Sequence, residues 1–115
     1  ASLADSLLVT GFPYNVTANP NNAVEHFVHF LMAARGLRRL GSAAMDLSYV
    51  AAGRFDGFWE VSLNPWDMAA GALFVQEAGG RMSDMRGQPL SIYQKTVLAS
   101  NGLIHDAMLA VVNKP

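Results

Sequence analysis

The stretch Arg38–Gly80, RRLGSAAMDLSYVAAGRFDGFWEVSLNPWDMAAGALFVQEAGG, decides the fold of this chain. A short strand around Arg38–Leu40 runs into Gly41-Ser42, where the serine oxygen can cap the free N–H groups of a new helix. That helix carries Leu47, Val50 and Ala51 and stops at Gly53, a residue suited to the left-handed turn that closes helices. Phe55–Glu60 reads as a strand. Pro65 then stiffens the approach to Trp66 and Asp67, and a further helix continues to the Gly79-Gly80 stop.

Working outward, Ser6–Thr10 (SLLVT) is a short apolar run ended by Gly11 and Pro13, which reads as a buried strand and a loop. After Asn19 and Pro20, apolar residues recur at Ala23, Phe27, Phe30, Leu31 and Ala34, a helical spacing, with Gly36 as the expected stop. Downstream, Arg81–Ser83 and Thr96–Ser100 read as strands joined through a turn at Gly87 and Pro89. Ile104, Met108, Val111 and Val112 line a last helix. Strands alternating with helices predict an α/β layered structure in one domain spanning residues 1–115, without repeats or linkers.

A chain of 115 residues, 51% apolar and with a net charge of -1, can bury a core without staples and lacks the charge excess of a nucleic-acid-coating protein. The absence of cysteine removes disulfides and thiolate chemistry and fits a reducing cytoplasm. No apolar stretch reaches the ~20 residues of a membrane span, and no signal peptide is visible. Neither a nucleophilic-serine motif nor a phosphate-cradling GxxxxGK loop occurs.

Three places could carry chemistry. Asp67 falls in the first turn of its helix, where the helix dipole favours an ionised carboxylate suited to a hard divalent cation; simple capping would also explain it. Glu60 closes a strand, and ligands of α/β sheets collect outside the carboxyl ends of strands, although a solvated charge is the plainer reading. Gly41-Ser42-Ala43 would offer backbone N–H groups at a helix start to an anion or hydroxyl, and capping by Ser42 needs no ligand. Ala69, Ala70, Gly71 and Ala72 make the next helix thin, which serves close packing. His26 and His29, three apart with no third ligand in register, read as a polar helix edge.

Taken together, Gly41-Ser42-Ala43-Ala44-Met45-Asp46-Leu47, Tyr49–Arg54, Asp56-Gly57-Phe58-Trp59-Glu60, Pro65-Trp66-Asp67-Met68-Ala69-Ala70-Gly71 and Glu77-Ala78-Gly79-Gly80 resemble the carboxyl-terminal signature of the inositol monophosphatase family. Thr10–Tyr14 and Val97–Asn101 fit the same pattern, so the resemblance covers nearly the whole chain. It implies the carboxyl-terminal half of a layered α/β sandwich, the sugar-phosphatase fold, usually dimeric. It also implies a magnesium-dependent phosphomonoesterase acting on inositol 1-phosphate or a related sugar phosphate.

By the same resemblance, Asp67 binds a catalytic metal, Glu60 contacts substrate hydroxyls, and Gly41, Ser42 and Ala43 line the substrate ring. Arg38 matches a structural arginine near the subunit contact. The family's other metal ligands come from an earlier glutamate and a DPxDG[ST] motif, neither of which occurs here, so the amino-terminal metal-binding half lies outside this chain. A companion amino-terminal polypeptide, or tight self-association, is therefore expected, and negligible activity from the chain alone. Related family members act on fructose 1,6-bisphosphate, histidinol phosphate or phosphoadenosine phosphate. A noncatalytic binding or assembly module is the alternative from another class.

Overall fold

The computed structural model describes residues 2–12, 16–62, 65–90 and 96–113, with the backbone alone at 16, 44 and 65–67. Its core is a mixed sheet built around β1 (Leu7–Thr10). On one side β1 pairs in parallel with β2 (Gly36–Arg38), Leu7 opposite Gly36. On the other it pairs in parallel with β3 (Gly57–Val61), Thr10 opposite Trp59. Antiparallel β5 (Thr96–Ser100) lies beside β3, and β4 (Arg81–Ser83) beside β5, giving the order β2-β1-β3-β5-β4.

Parallel neighbours require crossover connections, and these are right-handed almost without exception. The helix α1 (Ala23–Ala33) links β1 to β2 in one lateral direction, whereas α2 (Ala43–Ala51) links β2 to β3 in the other. Opposite directions with one hand put the two helices on opposite faces. Accordingly Phe30 of α1 and Met108 of α4 (His105–Val112) pack with Leu8, Trp59 and Leu98, the Phe30 and Trp59 rings lying 4.2 Å apart. Leu47 of α2 and Val75 of α3 (Pro65–Glu77) pack with Val9, Phe58 and Val97 on the other face.

Asp56 fastens the amino-terminal end of β3. Its carboxylate accepts from the Leu7 N–H at 2.9 Å and from Asn101 Nδ2 at 3.3 Å, while its own N–H donates to Leu7 O at 2.8 Å. One side chain thereby ties β1, β3 and the end of β5 together.

Several local readings are revised by packing. Gly36 does not stop α1: the helix ends at Ala33, Ala34 is already extended, and Gly36 opens β2. That strand ends at Arg38 rather than continuing to Leu40. Leu31, assigned to the apolar face of α1, is half exposed, whereas His26 is buried rather than on a polar edge. Burial and the neighbouring His29 hold the His26 pKa below its ordinary value. The thin part of α3 serves packing as expected, because Leu47 lies directly over Gly71. Pro13 and Tyr14 of the loop after β1 lie outside the described residues.

A Cβ at Gly71 would lie 2.5 Å from Leu47 Cδ1 and 2.6 Å from Leu47 Cβ. Alanine would add ~1 kcal/mol of helix propensity but overpack a seam where such insertions cost about 1–3 kcal/mol. We expect Gly71→Ala to lower the urea-unfolding free energy; an unchanged or higher value would mean that the α2–α3 seam has slack.

On the other face, fully buried His105 bridges two strands. The Ser83 hydroxyl donates to Asp84 O at 2.8 Å, so Ser83 Oγ accepts from His105 Nε2–H at 2.7 Å. Ser100 Oγ accepts from the Gly102 N–H at 3.0 Å and donates its hydroxyl to His105 Nδ1 at 2.9 Å. This directionality assigns the neutral tautomer in which Nε2 donates and Nδ1 accepts. Burial first, then Arg81, push the His105 pKa down to about 4, with Asp106 opposing. Between pH 6.5 and 4 the unfolded histidine therefore binds a proton that the folded one does not. This contribution is complete above pH 6.5 and is lost as pH falls, with a slope of up to about 1.4 kcal/mol per pH unit. We expect His105→Gln to remove that slope from urea midpoints measured across the window, besides lowering stability overall.

Candidate functional site

Because β1, β2 and β3 are parallel, their carboxyl ends share one edge of the sheet, and the chain leaves β1 and β3 toward opposite faces there. Such a divergence opens a crevice, the usual ligand position in open α/β sheets. Glu60, the penultimate residue of β3, stands at this edge. Side chains alternate along a strand, and Phe58 packs with the α2–α3 side whereas Trp59 and Val61 pack with the α1 side. Glu60 therefore shares the Phe58 face, toward α2 and α3. Its carboxylate lies against the α-carbon of Gly11, the first residue after β1. The Thr10 hydroxyl donates to Trp59 O at 2.6 Å and locks the register beneath it.

Both helices on this face begin at the same edge. Gly41 takes a left-handed conformation, φ 89°, that turns the chain from β2 into α2. Ser42 caps the helix, its Oγ accepting from the Met45 N–H at 3.3 Å, so the capping reading of Ser42 is realised. Ala43 is the first helical residue; Gly41 and Ser42 are exposed, and Ala43 is partly buried. Beyond β3, Ser62 is left-handed at φ 58°, and α3 begins at Pro65, with Asp67 its third residue. The Asp67 side chain lies outside the described part. The edge thus combines the positive ends of two helix dipoles with the Glu60 carboxylate, a setting for a ligand bearing both an anionic group and hydroxyls.

Among the described residues no three His, Asp or Glu side chains gather as a cation site. One carboxylate at a helix start is a fitting donor for a hard cation but not a complete set.

Asp46 was not singled out as a site residue from the sequence. It is 1% exposed, and neither carboxylate oxygen has a hydrogen-bond partner among the described residues. The signal was available: Ala43, Asp46, Leu47 and Val50 fall at i, i+3, i+4 and i+7, placing an acid within the apolar stripe of α2. Burial raises its pKa to about 6, with Arg39 pulling the other way.

Similarity to known proteins agrees with this geometry. Residues 1–114 match the inositol monophosphatase family. An inositol-1-monophosphatase of Synechocystis sp. is 48% identical over 94% of this chain and 38% of its own length. Nus factor SuhB of Pseudomonas aeruginosa is 45% identical over 96% of this chain and 42% of its own. The structure of an inositol monophosphatase from Anabaena (Nostoc) sp. superposes with a TM-score of 0.92 at 44% identity, covering 96% of this chain and 44% of that one.

The fold class is thus a mixed α/β sheet with helices on both faces, matching one portion of the inositol monophosphatase fold. The chain belongs to the inositol monophosphatase family. It spans about two-fifths of the length of the relatives it matches.

Folded Asp46 holds a proton between pH 3.8 and 6 that its unfolded form has released, so its contribution to stability falls as pH rises through that window. The sign is opposite to that of His105, and the two windows overlap. Relative to wild type, we expect Asp46→Asn to make stability rise more steeply with pH between 4 and 6, and His105→Gln to do the reverse. Parallel pH profiles for the two variants, followed by urea unfolding, would show that these groups do not titrate as described.

Proposed function

We propose that this chain is the substrate-binding portion of a magnesium-dependent phosphomonoesterase hydrolysing inositol 1-phosphate or a related sugar phosphate. The supporting observation is Glu60 at the β1/β3 crevice, on the face where both α2 and α3 begin. Glu60 accepts hydrogen bonds from substrate hydroxyls, and Gly41, Ser42 and Ala43 line the ring at the start of α2. Bidentate acceptance by a carboxylate orients a polyol more firmly than a neutral group could.

Asp67 supplies one carboxylate ligand to magnesium, with the remaining ligands from the portion of the protein that this chain lacks. The bound metal supplies charge stabilisation and an activated water. This chain's own part is to bind and orient: the helix starts favour the phosphate end of the ligand, and Glu60 the hydroxyl end.

Leu73 and Phe74 of α3, Met45 of α2 and Leu40 are about half exposed. These apolar surfaces support association with a companion amino-terminal portion. The family resemblance supports a homodimer, and the cysteine-free sequence supports a cytoplasmic setting. No helix among the described residues is long and apolar enough to cross a membrane.

The test compares the complete protein with this chain in magnesium-dependent phosphate release from inositol 1-phosphate, beside fructose 1,6-bisphosphate. We expect turnover only from the complete protein, and more than about a hundredfold loss in Asp67→Asn, because even residues that merely support metal ligands cost 10–100-fold. Full activity in Asp67→Asn would remove the metal role. A second reading is noncatalytic assembly, which the near-equal identity to a Nus factor and to an inositol-1-monophosphatase keeps open. An inactive complete protein would favour it.

A further inference from the structure

We propose that Gly11 is a positioning residue whose missing side chain holds the Glu60 carboxylate in its working place; this rests on the substrate role proposed for Glu60. Glycine is not required at position 11 by its backbone, which lies outside the left-handed region where glycine is favoured. It is required by space. A Cβ built there would collide with Glu60 Oε1 and lie 3.1 Å from Glu60 Cδ and 3.9 Å from Oε2, these being its nearest contacts among the described residues.

The backbone cannot yield to relieve that collision. Thr10 stands opposite Trp59 in the β1–β3 ladder, and the Thr10 hydroxyl bonds Trp59 O at 2.6 Å. The Trp59 ring is held against Phe30, and Val61 is buried on the same face. Residues on both sides of Glu60 are therefore anchored, as is the residue before Gly11. The movable part is the Glu60 side chain, so any substituent at position 11 transfers its volume to the carboxylate. Gly11 acts on substrate through Glu60 and need not touch the substrate.

Two measurements test this. The chain has three glutamates, Glu25, Glu60 and Glu77, so their carboxyl carbons can be followed separately by NMR after selective 13C labelling. In Gly11→Ala we expect the Glu60 resonance to move while Glu25 and Glu77 stay in place. An unmoved Glu60, or movement of all three, would overturn the proposal.

In the complete phosphatase, Gly11→Ala should raise KM for inositol 1-phosphate about tenfold, the scale of one weakened charge-assisted hydrogen bond, with a smaller change in kcat. Placed on Glu60→Ala, where no carboxylate remains to displace, Gly11→Ala should add nothing. An equal effect in both backgrounds would mean that Gly11 acts by another route. If Glu60→Ala alone left KM unchanged, the substrate role of Glu60 would fall, and the resonance experiment would still decide the role of Gly11.

Discussion

The parallel pairing of β1 with β2 on one side and β3 on the other is the constraint from which the remaining architecture follows. A chain that must return to the same end after each strand needs a helix per crossing. With one permitted hand, crossings in opposite directions put α1 and α2 on opposite faces. That single arrangement fills both faces with apolar side chains and splits the backbone apart at the carboxyl ends of β1 and β3. The crevice with Glu60 is therefore a by-product of topology, present before any side chain is chosen for function. The Asp56 carboxylate, binding Leu7 and Asn101 at the opposite end, fixes the strands whose far ends form that crevice.

The two faces are stabilised by different means. On the α1–α4 face a polar bridge, Ser83–His105–Ser100, is fully paired, with a donor for every acceptor in one tautomer. Satisfied networks of this kind specify geometry without leaving a desolvated group. On the α2–α3 face the interior acid Asp46 has no such partners among the described residues, and its raised pKa expresses the cost of carrying a charge there. Among the described residues, buried side-chain atoms without a hydrogen-bond partner occur on both sides of the sheet, at Asp46 of α2 and at Nδ1 of His26 and His29 of α1.

The exposed apolar side chains of α2 and α3 belong to the same face. Edge strands β2 and β4 are only three residues long, a length that limits unwanted pairing.

The amino-acid sequence by itself determined the kinds and order of the elements: Ser42 capping α2, Pro65 opening α3, the β5 and α4 patterns, and Glu60 at a strand end. These signals are local, carried by residues within a turn or two of each other. Even the family resemblance rests on contiguous motifs. What tertiary structure alone decided concerns residues far apart. Thr10 meets Trp59 across 49 positions, which brings Glu60 onto Gly11. Gly36 became the start of a strand because Leu7 was there to pair with it, and His26 and Leu31 exchanged their expected exposures because α4 and the sheet determined which side of α1 turned inward. Asp46 stood within an apolar stripe in plain view, yet only the folded structure shows it to be buried. Local propensity sets what a segment can form, whereas long-range pairing and the hand of the crossovers set which of its sides meets the core.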